Sequence, residues 1–363
     1  MSGERGEWKK KAAKRALWGG FAVSAFCAAS LSFDRTLDEV AGAAATAAPE
    51  TAERSVEPFE SSATAGGSER SASAAERLLR EAIVRLEGLR SFSADLDFEA
   101  RFFGERYFGR GRYEETSEAP SGSAARRSTL ENARYRLRAS IARGNARDDA
   151  EENVQEIVCD CDRQALWKYT STEGAKSLTR IDVAELSNEL ASLSAEELAE
   201  VGVEGPCAMN GLPGLGGLAG TLRRLSAVYR FEPRIERAPA FKGTEVVKIT
   251  GRARAKFWET SKRRLGVDKF EPYLNENLPG NVEIYLGADW PFPYKIVYFS
   301  LAENEEKTRN DIFTVEYSTV VRNDATIRPE DFNYNQPQIT FERVTSKYVE
   351  SLISEARRDG ATR

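Results

Sequence analysis

From Phe92 to Phe102 the chain alternates without a break. Phe92, Ala94, Leu96, Phe98, Ala100 and Phe102 fall on one side, and Ser93, Asp95, Asp97, Glu99 and Arg101 on the other. Successive side chains on a strand point to opposite faces, so this is a strand with one buried and one wet face. That pattern belongs to antiparallel sheets, because strands of all-parallel sheets are buried on both faces. The alternation returns in Ala133, Tyr135, Leu137, Ala139 and Ile141, set against Arg134, Arg136, Arg138 and Ser140. The three arginines read as a solvated rung or as cross-strand partners of Asp95, Asp97 and Glu99, with a charged-ligand site as the other reading. Between the two strands, the glycines of Tyr107-Phe-Gly-Arg-Gly-Arg-Tyr113 mark a bulge or a sharp bend.

Three more short strands follow at about 154–161, 165–170 and 177–182. In the second, Trp167 and Tyr169 share a face, while Leu166 and Lys168 point the other way. Further strands are expected near 229–236, 244–251, 281–287, 293–301 and 309–321. Helices interrupt this order. Ser73-Ala-Ala-Glu76 is a capping box, followed by Leu79, Ala82, Ile83, Leu86 and Leu89 at helical spacing. Asp182 caps a second helix, 212–229 reads as a third and 257–274 as a fourth, and Thr345 caps a short closing one. The glycines at 211–220 have neither the spacing nor the preceding strand of a dinucleotide loop. About ten strands in hairpin order with interspersed helices define the α+β class.

The 363 residues contain no histidine. That excludes Ser-His-Asp and Cys-His nucleophile systems and histidine-ligated metals. Net charge is −5, and the chain is more acidic still once its basic N-terminus is set aside, so nucleic acid is not an expected partner. Asp160-Cys-Asp162 sits where a turn is expected and reads as turn chemistry rather than a metal pair. No cofactor or metal is implied.

Residues 1–33 read as a signal peptide or signal anchor. Lys9-Lys-Lys-Ala-Ala-Lys-Arg15 precedes an uncharged run from Ala16 to Phe33. Phe26 stands just before Cys27, where a lipoprotein signal wants a small residue. Residues 34–72, rich in Ala, Ser, Thr, Gly and Pro, read as a disordered tether. A folded domain then covers 73–355, and 356–363 is a tail. In an exported chain, Cys207 is compatible with a bond to Cys159 or Cys161; all three are equally compatible with buried thiols.

Two sets of motifs resemble one family. Cys161-Asp162 followed by Leu166-Trp-Lys-Tyr169 resembles the Asp-Gly turn and Leu/Val-Trp-x-Tyr strand of periplasmic lipoprotein-carrier (LolA-like) proteins. Arg163 replaces the turn glycine, which implies another turn type. Pro293-Tyr-Lys-Ile-Val-Tyr298, Phe313-Thr-Val-Glu-Tyr317, Asn323, Pro329-Glu-Asp-Phe-Asn-Tyr334 and Pro337 resemble the way those proteins close their sheet.

The resemblance implies a divergent, membrane-tethered member with a curved, incomplete antiparallel barrel around helices and an apolar cavity. Phe92, Leu96, Phe98, Leu137, Trp167 and Tyr169 are expected to line that cavity. The implied function is non-enzymatic and extracytoplasmic. The chain would act as carrier, acceptor or envelope sensor for lipid or lipoprotein acyl chains, with envelope proteins as further partners. A periplasmic enzyme working through carboxylates alone and a protein-binding envelope module without a small ligand stay open. If the N-terminal segment directs export, a reporter fused after residue 60 is active only outside the cytoplasm; full activity of a cytoplasm-only reporter contradicts this.

Overall fold

The computed structural model describes residues 73–102, 105–116, 134–143, 153–160, 165–172, 175–191, 217–255, 279–301, 308–332, 334, 339–346 and 349–350. The signal segment, the tether, the expected helix at 257–274, Cys27, Cys161, Asp162, Cys207 and the tail lie outside them. Among the described residues no helix is long and apolar enough to cross a membrane.

Helix α1 (Ala74–Glu87) starts directly after Ser73, as the capping box requires. It buries Ala75, Leu79, Ala82, Ile83 and Leu86, the stripe its spacing sets out. It leads through Gly88 into β1 (Ser91–Phe102). There follow β2 (Glu105–Thr116), β3 (Arg134–Arg143), β4 (Asn153–Asp160), β5 (Ala165–Thr172) and β6 (Ala175–Asp182). Asp182 then caps α2 (Val183–Ala191), its Oδ1 accepting the Glu185 N–H at 3.1 Å. Helix α3 (Gly217–Val228) runs without a break into β7 (Tyr229–Phe231). The rest is β8 (Glu236–Arg237), β9 (Val246–Ala253), β10 (Asn281–Gly287), β11 (Pro293–Leu301), β12 (Arg309–Arg322), a 3-10 turn (Pro329–Phe332) and β13 (Glu342–Arg343).

The thirteen strands of the described residues form one open sheet, in the order β13-β6-β5-β4-β3-β2-β1-β12-β11-β10-β9-β7, with β8 also on β9. The pairings are antiparallel except β13 on β6, which is parallel. This is the α+β, incomplete antiparallel barrel that the sequence predicts. The strand expected near 229–236 is split into β7 and β8, three and two residues long, and β13, also of two residues, is an addition to the expected strands. Strands that short leave no periodicity to read.

Directly paired residues on neighbouring strands share a face, so the register sorts the side chains. One row runs Leu96–Gly111–Ala139–Gln155–Thr170 and the next Ala94–Tyr113–Leu137–Ile157–Lys168. On the other side of β1 the same face continues through Tyr317, Val315 and Phe313 of β12, then Tyr298 and Ile296 of β11. This inner face is the core. Helix α3 begins on it at Glu115, and α1 packs against α3 with Glu87 paired to Arg223.

The outer face of β1 and β2 is an ion ladder. Arg106 meets Glu99 at 2.7 Å, Arg110 meets Asp97 at 3.2 Å, and Arg112 meets Asp95 at 3.6 Å. The acids of β1 therefore pair with arginines of β2, not with those of β3 as one sequence reading had it. Strand β2 lies between β1 and β3, and Arg136 of β3 turns instead to Glu156 of β4 at 3.3 Å.

After β12 the chain crosses onto this outer face. A bulge in β12 opposite Ser93 and Asp95 holds Thr319 at φ 51°. The chain then turns back on β1. The Asn323 N–H donates to Ser91 O at 2.7 Å, and the Ser93 hydroxyl donates to Asp324 Oδ2 at 2.7 Å. From there the segment lays Phe332 and Tyr334 over β4 and β5. Phe98 is the test of the inner face. Its ring packs on Phe313 with centroids 6.0 Å apart and lies over Gly109, where a Cβ would overlap it. Phe98→Ala is expected to cost about 3–5 kcal/mol in urea unfolding, and Asp97→Ala, on the outer face, under ~1 kcal/mol.

Candidate ligand-binding face

The inner face is lined by rings. Phe92 lies 5.7 Å from both Tyr113 and Phe292, and Tyr113 lies 5.9 Å from Tyr135 and 6.2 Å from Tyr317, centroid to centroid. Phe92, Leu96, Phe98 and Leu137 are all buried on this face. The structure thus brings together four of the six residues expected to line a cavity.

Trp167 and Tyr169 are on the opposite face. Trp167 pairs with Val158 on one side and Arg180 on the other, in the outer row that includes Arg136. Its ring stacks on Tyr334 at 5.6 Å and meets Phe341 edge-on at 5.2 Å, while the Arg180 guanidinium lies 5.2 Å from its centre. With Val158, Ala165, Leu178 and Phe332 it forms a second, small core, and Tyr169 packs against it. The expectation of one wall containing all six residues is corrected. The residues of β5 that share a face with Leu137 are Leu166 and Lys168. Alternation tells which residues of a strand point together; it does not tell to which side of the sheet they point. Leu166 and Trp167 are both buried, so apolarity did not decide it either.

Glu115 escaped the sequence reading. It stands on the inner face opposite Phe92 and Tyr135 and is 5 % exposed. Its Oε2 accepts the Leu218 N–H at 3.0 Å, at the first turn of α3, and the Tyr113 hydroxyl donates to the same oxygen. Gly217, at φ 62°, rests on this carboxylate, and a Cβ there would overlap it at 2.6 Å. Burial pushes the Glu115 carboxyl up to about 7, with the Glu87 charge adding to the rise and the two hydrogen bonds opposing it. The signal in the sequence was a glutamate at an apolar position of the β2 alternation. Gln155 is the same kind of exception in β4, between Ile157 and Asn153 on the inner face.

A second charged cluster surrounds Glu283 on the outer face. Lys248 Nζ at 3.1 Å, Arg309 at 3.0 Å and the Tyr285 hydroxyl at 3.0 Å satisfy it, and these two cations hold its carboxyl below the usual range. Among the described residues no three potential metal ligands gather.

These features define a class: an open antiparallel sheet with one continuous apolar face, helices on that face, and a separate aromatic cluster behind it. No protein-family model matches the chain, and no curated protein matches it by sequence. Among solved structures it is similar to LprF from Mycobacterium bovis, at 13% identity over 68% of this chain and 92% of that one, with a TM-score of 0.31. It is also similar to a domain from Vibrio parahaemolyticus described as outer-membrane lipoprotein sorting, at 11% identity over 71% of this chain and 97% of that one, TM-score 0.27. MucB in complex with MucA matches at 12% identity over 72% of this chain and 60% of that one, TM-score 0.33.

Glu115 generates a pH dependence. Its folded-state pKa lies above the unfolded value, so its contribution to stability is fully present below about pH 4.5 and is lost as pH rises through about 7. The domain is therefore expected to be less stable at pH 8.5 than at pH 6, by roughly 1.4 kcal/mol from this group. Glu115→Gln should flatten that slope in urea titrations at the two pH values; an unchanged slope contradicts the assignment.

Proposed function

We propose that this domain is a non-enzymatic binding protein that works outside the cytoplasmic membrane and receives lipid or lipoprotein acyl chains on the inner face of its sheet. The supporting observation is the continuity of that face. Buried apolar side chains run from Ile141 and Leu137 through Leu96, Phe98 and Phe92 to Phe313, Tyr317 and Ile296, with the Glu115 carboxyl set among them. A face of this kind binds by removing apolar surface from water, at roughly 25 cal/mol per Å² before association costs. Phe92, Leu96, Phe98 and Leu137 are the proposed lining. Trp167 and Tyr169 belong to the outer cluster and are left out of it. In this reading residues 1–33 export the chain and 34–72 tether it, with residues 73–355 as the binding domain. A retained N-terminal anchor would make it an acceptor or sensor; a cleaved one, a carrier.

The test uses a fluorescent acyl-chain probe and two substitutions adjacent in sequence. Phe98→Ala is expected to weaken probe binding about tenfold in the variant that remains folded, and Asp97→Ala to leave it unchanged. Equal effects from both substitutions would leave the sheet a purely structural element.

A further inference from the structure

The inner face has one row of small side chains that ends in a polar group. In the row Leu96–Gly111–Ala139–Gln155–Thr170, two successive strands contribute almost no side chain. Gly111 is required there, because a Cβ would fall 2.0 Å from the Arg138 carbonyl oxygen of the neighbouring strand. Ridges stand on either side: Phe98 and Ile141 in one flanking row, Leu137 and Ile157 in the other. The floor from Leu96 to Gln155 crosses three strand spacings, roughly 14 Å.

Gln155 closes this floor and is 2 % exposed, yet neither its amide nitrogen nor its amide oxygen has a hydrogen-bond partner. A buried amide left unsatisfied on both sides is costly and rare in native proteins. Beside it on the same face stand Thr170, directly opposite on β5, and Lys168, diagonally opposite. Cross-strand neighbours of this kind are about 5 Å apart when opposite and about 7–8 Å when diagonal, within joint reach of one small group. Among the described residues Lys168 has no ion-pair partner, and both it and Thr170 are half-buried where Gln155 is fully buried. Exposure thus rises from the apolar floor toward the β5 side, as it would at the mouth of a slot.

We propose that this part of the inner face is a slot for a single amphiphile with an anionic head. The acyl chain lies over Gly111 and Ala139 toward Leu96. The carboxylate or phosphate-type head sits at Lys168 and Thr170, where the Gln155 amide donates to it. The ammonium supplies charge-assisted hydrogen bonds, and the Gln155 amide nitrogen, satisfied only when the slot is filled, supplies orientation. The proposal rests on the acyl-binding reading above and adds the head group to it.

The test compares palmitate, hexadecanol and inorganic phosphate on the full chain by calorimetry at pH 8. Palmitate is expected to bind about tenfold tighter than hexadecanol, and phosphate alone far more weakly than either. Lys168→Met and Gln155→Leu should each bring the palmitate-to-hexadecanol ratio close to one while hexadecanol affinity holds. Lys176→Met, at an exposed position of β6, should leave the ratio intact. Lys168 is half-buried, so its variant keeps the test open if Gln155→Leu disturbs the fold. Equal binding of palmitate and hexadecanol by the native chain, a ratio unmoved by Lys168→Met, or phosphate binding as tightly as palmitate overturns the proposal. If hexadecanol and palmitate both fail to bind, the acyl-site reading itself is wrong and the head-group proposal falls with it.

Discussion

The pairing of β1 with β2 on one side and β12 on the other sets Leu96 opposite Tyr317, Phe98 opposite Val315 and Ala94 opposite Tyr113, with Phe92 further along the same face. Burial of that row is the interaction on which the remaining elements depend. Each fully buried ring or leucine contributes about 1.5–3 kcal/mol, and the rings add edge-on and tilted contacts. Helix α3 has a place only because this face exists. It starts where Gly217 meets Glu115 and ends by continuing into β7, whose Tyr229 and Phe231 return to the same face.

The outer face follows a different logic. Over β1 and β2 it is held by exposed ion pairs, each worth little by itself. Over β4 and β5 its apolar side chains are buried, because the segment after β12 turns back at Asn323 and lies over them. The Trp167–Tyr334 stack, the Val344 N–H donating to Arg180 O at 3.0 Å and the two-residue β13 pairing fasten that segment. Trp167 Nε1 and the Tyr334 hydroxyl have no hydrogen-bond partner beneath it, so the aromatic packing there works against a polar cost. An aromatic pair read from the sequence as a ligand wall is thereby the footing of a cover strand.

Much of the fold was legible in local patterns. Strict alternation gave β1 and β3 with their buried members, and the capping box gave α1 to the residue. Asp182 as a cap and the hairpin order of the strands were equally local signals. The site was legible only in part, and for a definable reason. Strand periodicity fixes faces within a strand, but matching faces between strands needs the register. That is why Leu137 was assigned correctly with Phe98 and Trp167 was not. Glu115, Gln155 and Lys168 were passed over, since each is a polar residue in a pattern read for its apolar members. Only the pairing Ala139–Gln155–Thr170, with Lys168 one row away, brings the last two of these together.

The central claim is that the inner face, not the outer aromatic cluster, receives the chain of an amphiphile. Photolabelling with a fatty acid carrying a diazirine along its chain, followed by peptide mapping, addresses this directly. The account predicts labels on peptides of β1, β2 and β3 that carry Leu96, Gly111 and Ala139, competed away by unlabelled palmitate. Competed labelling confined to the peptides of Trp167, Tyr334 and Phe341 would contradict it.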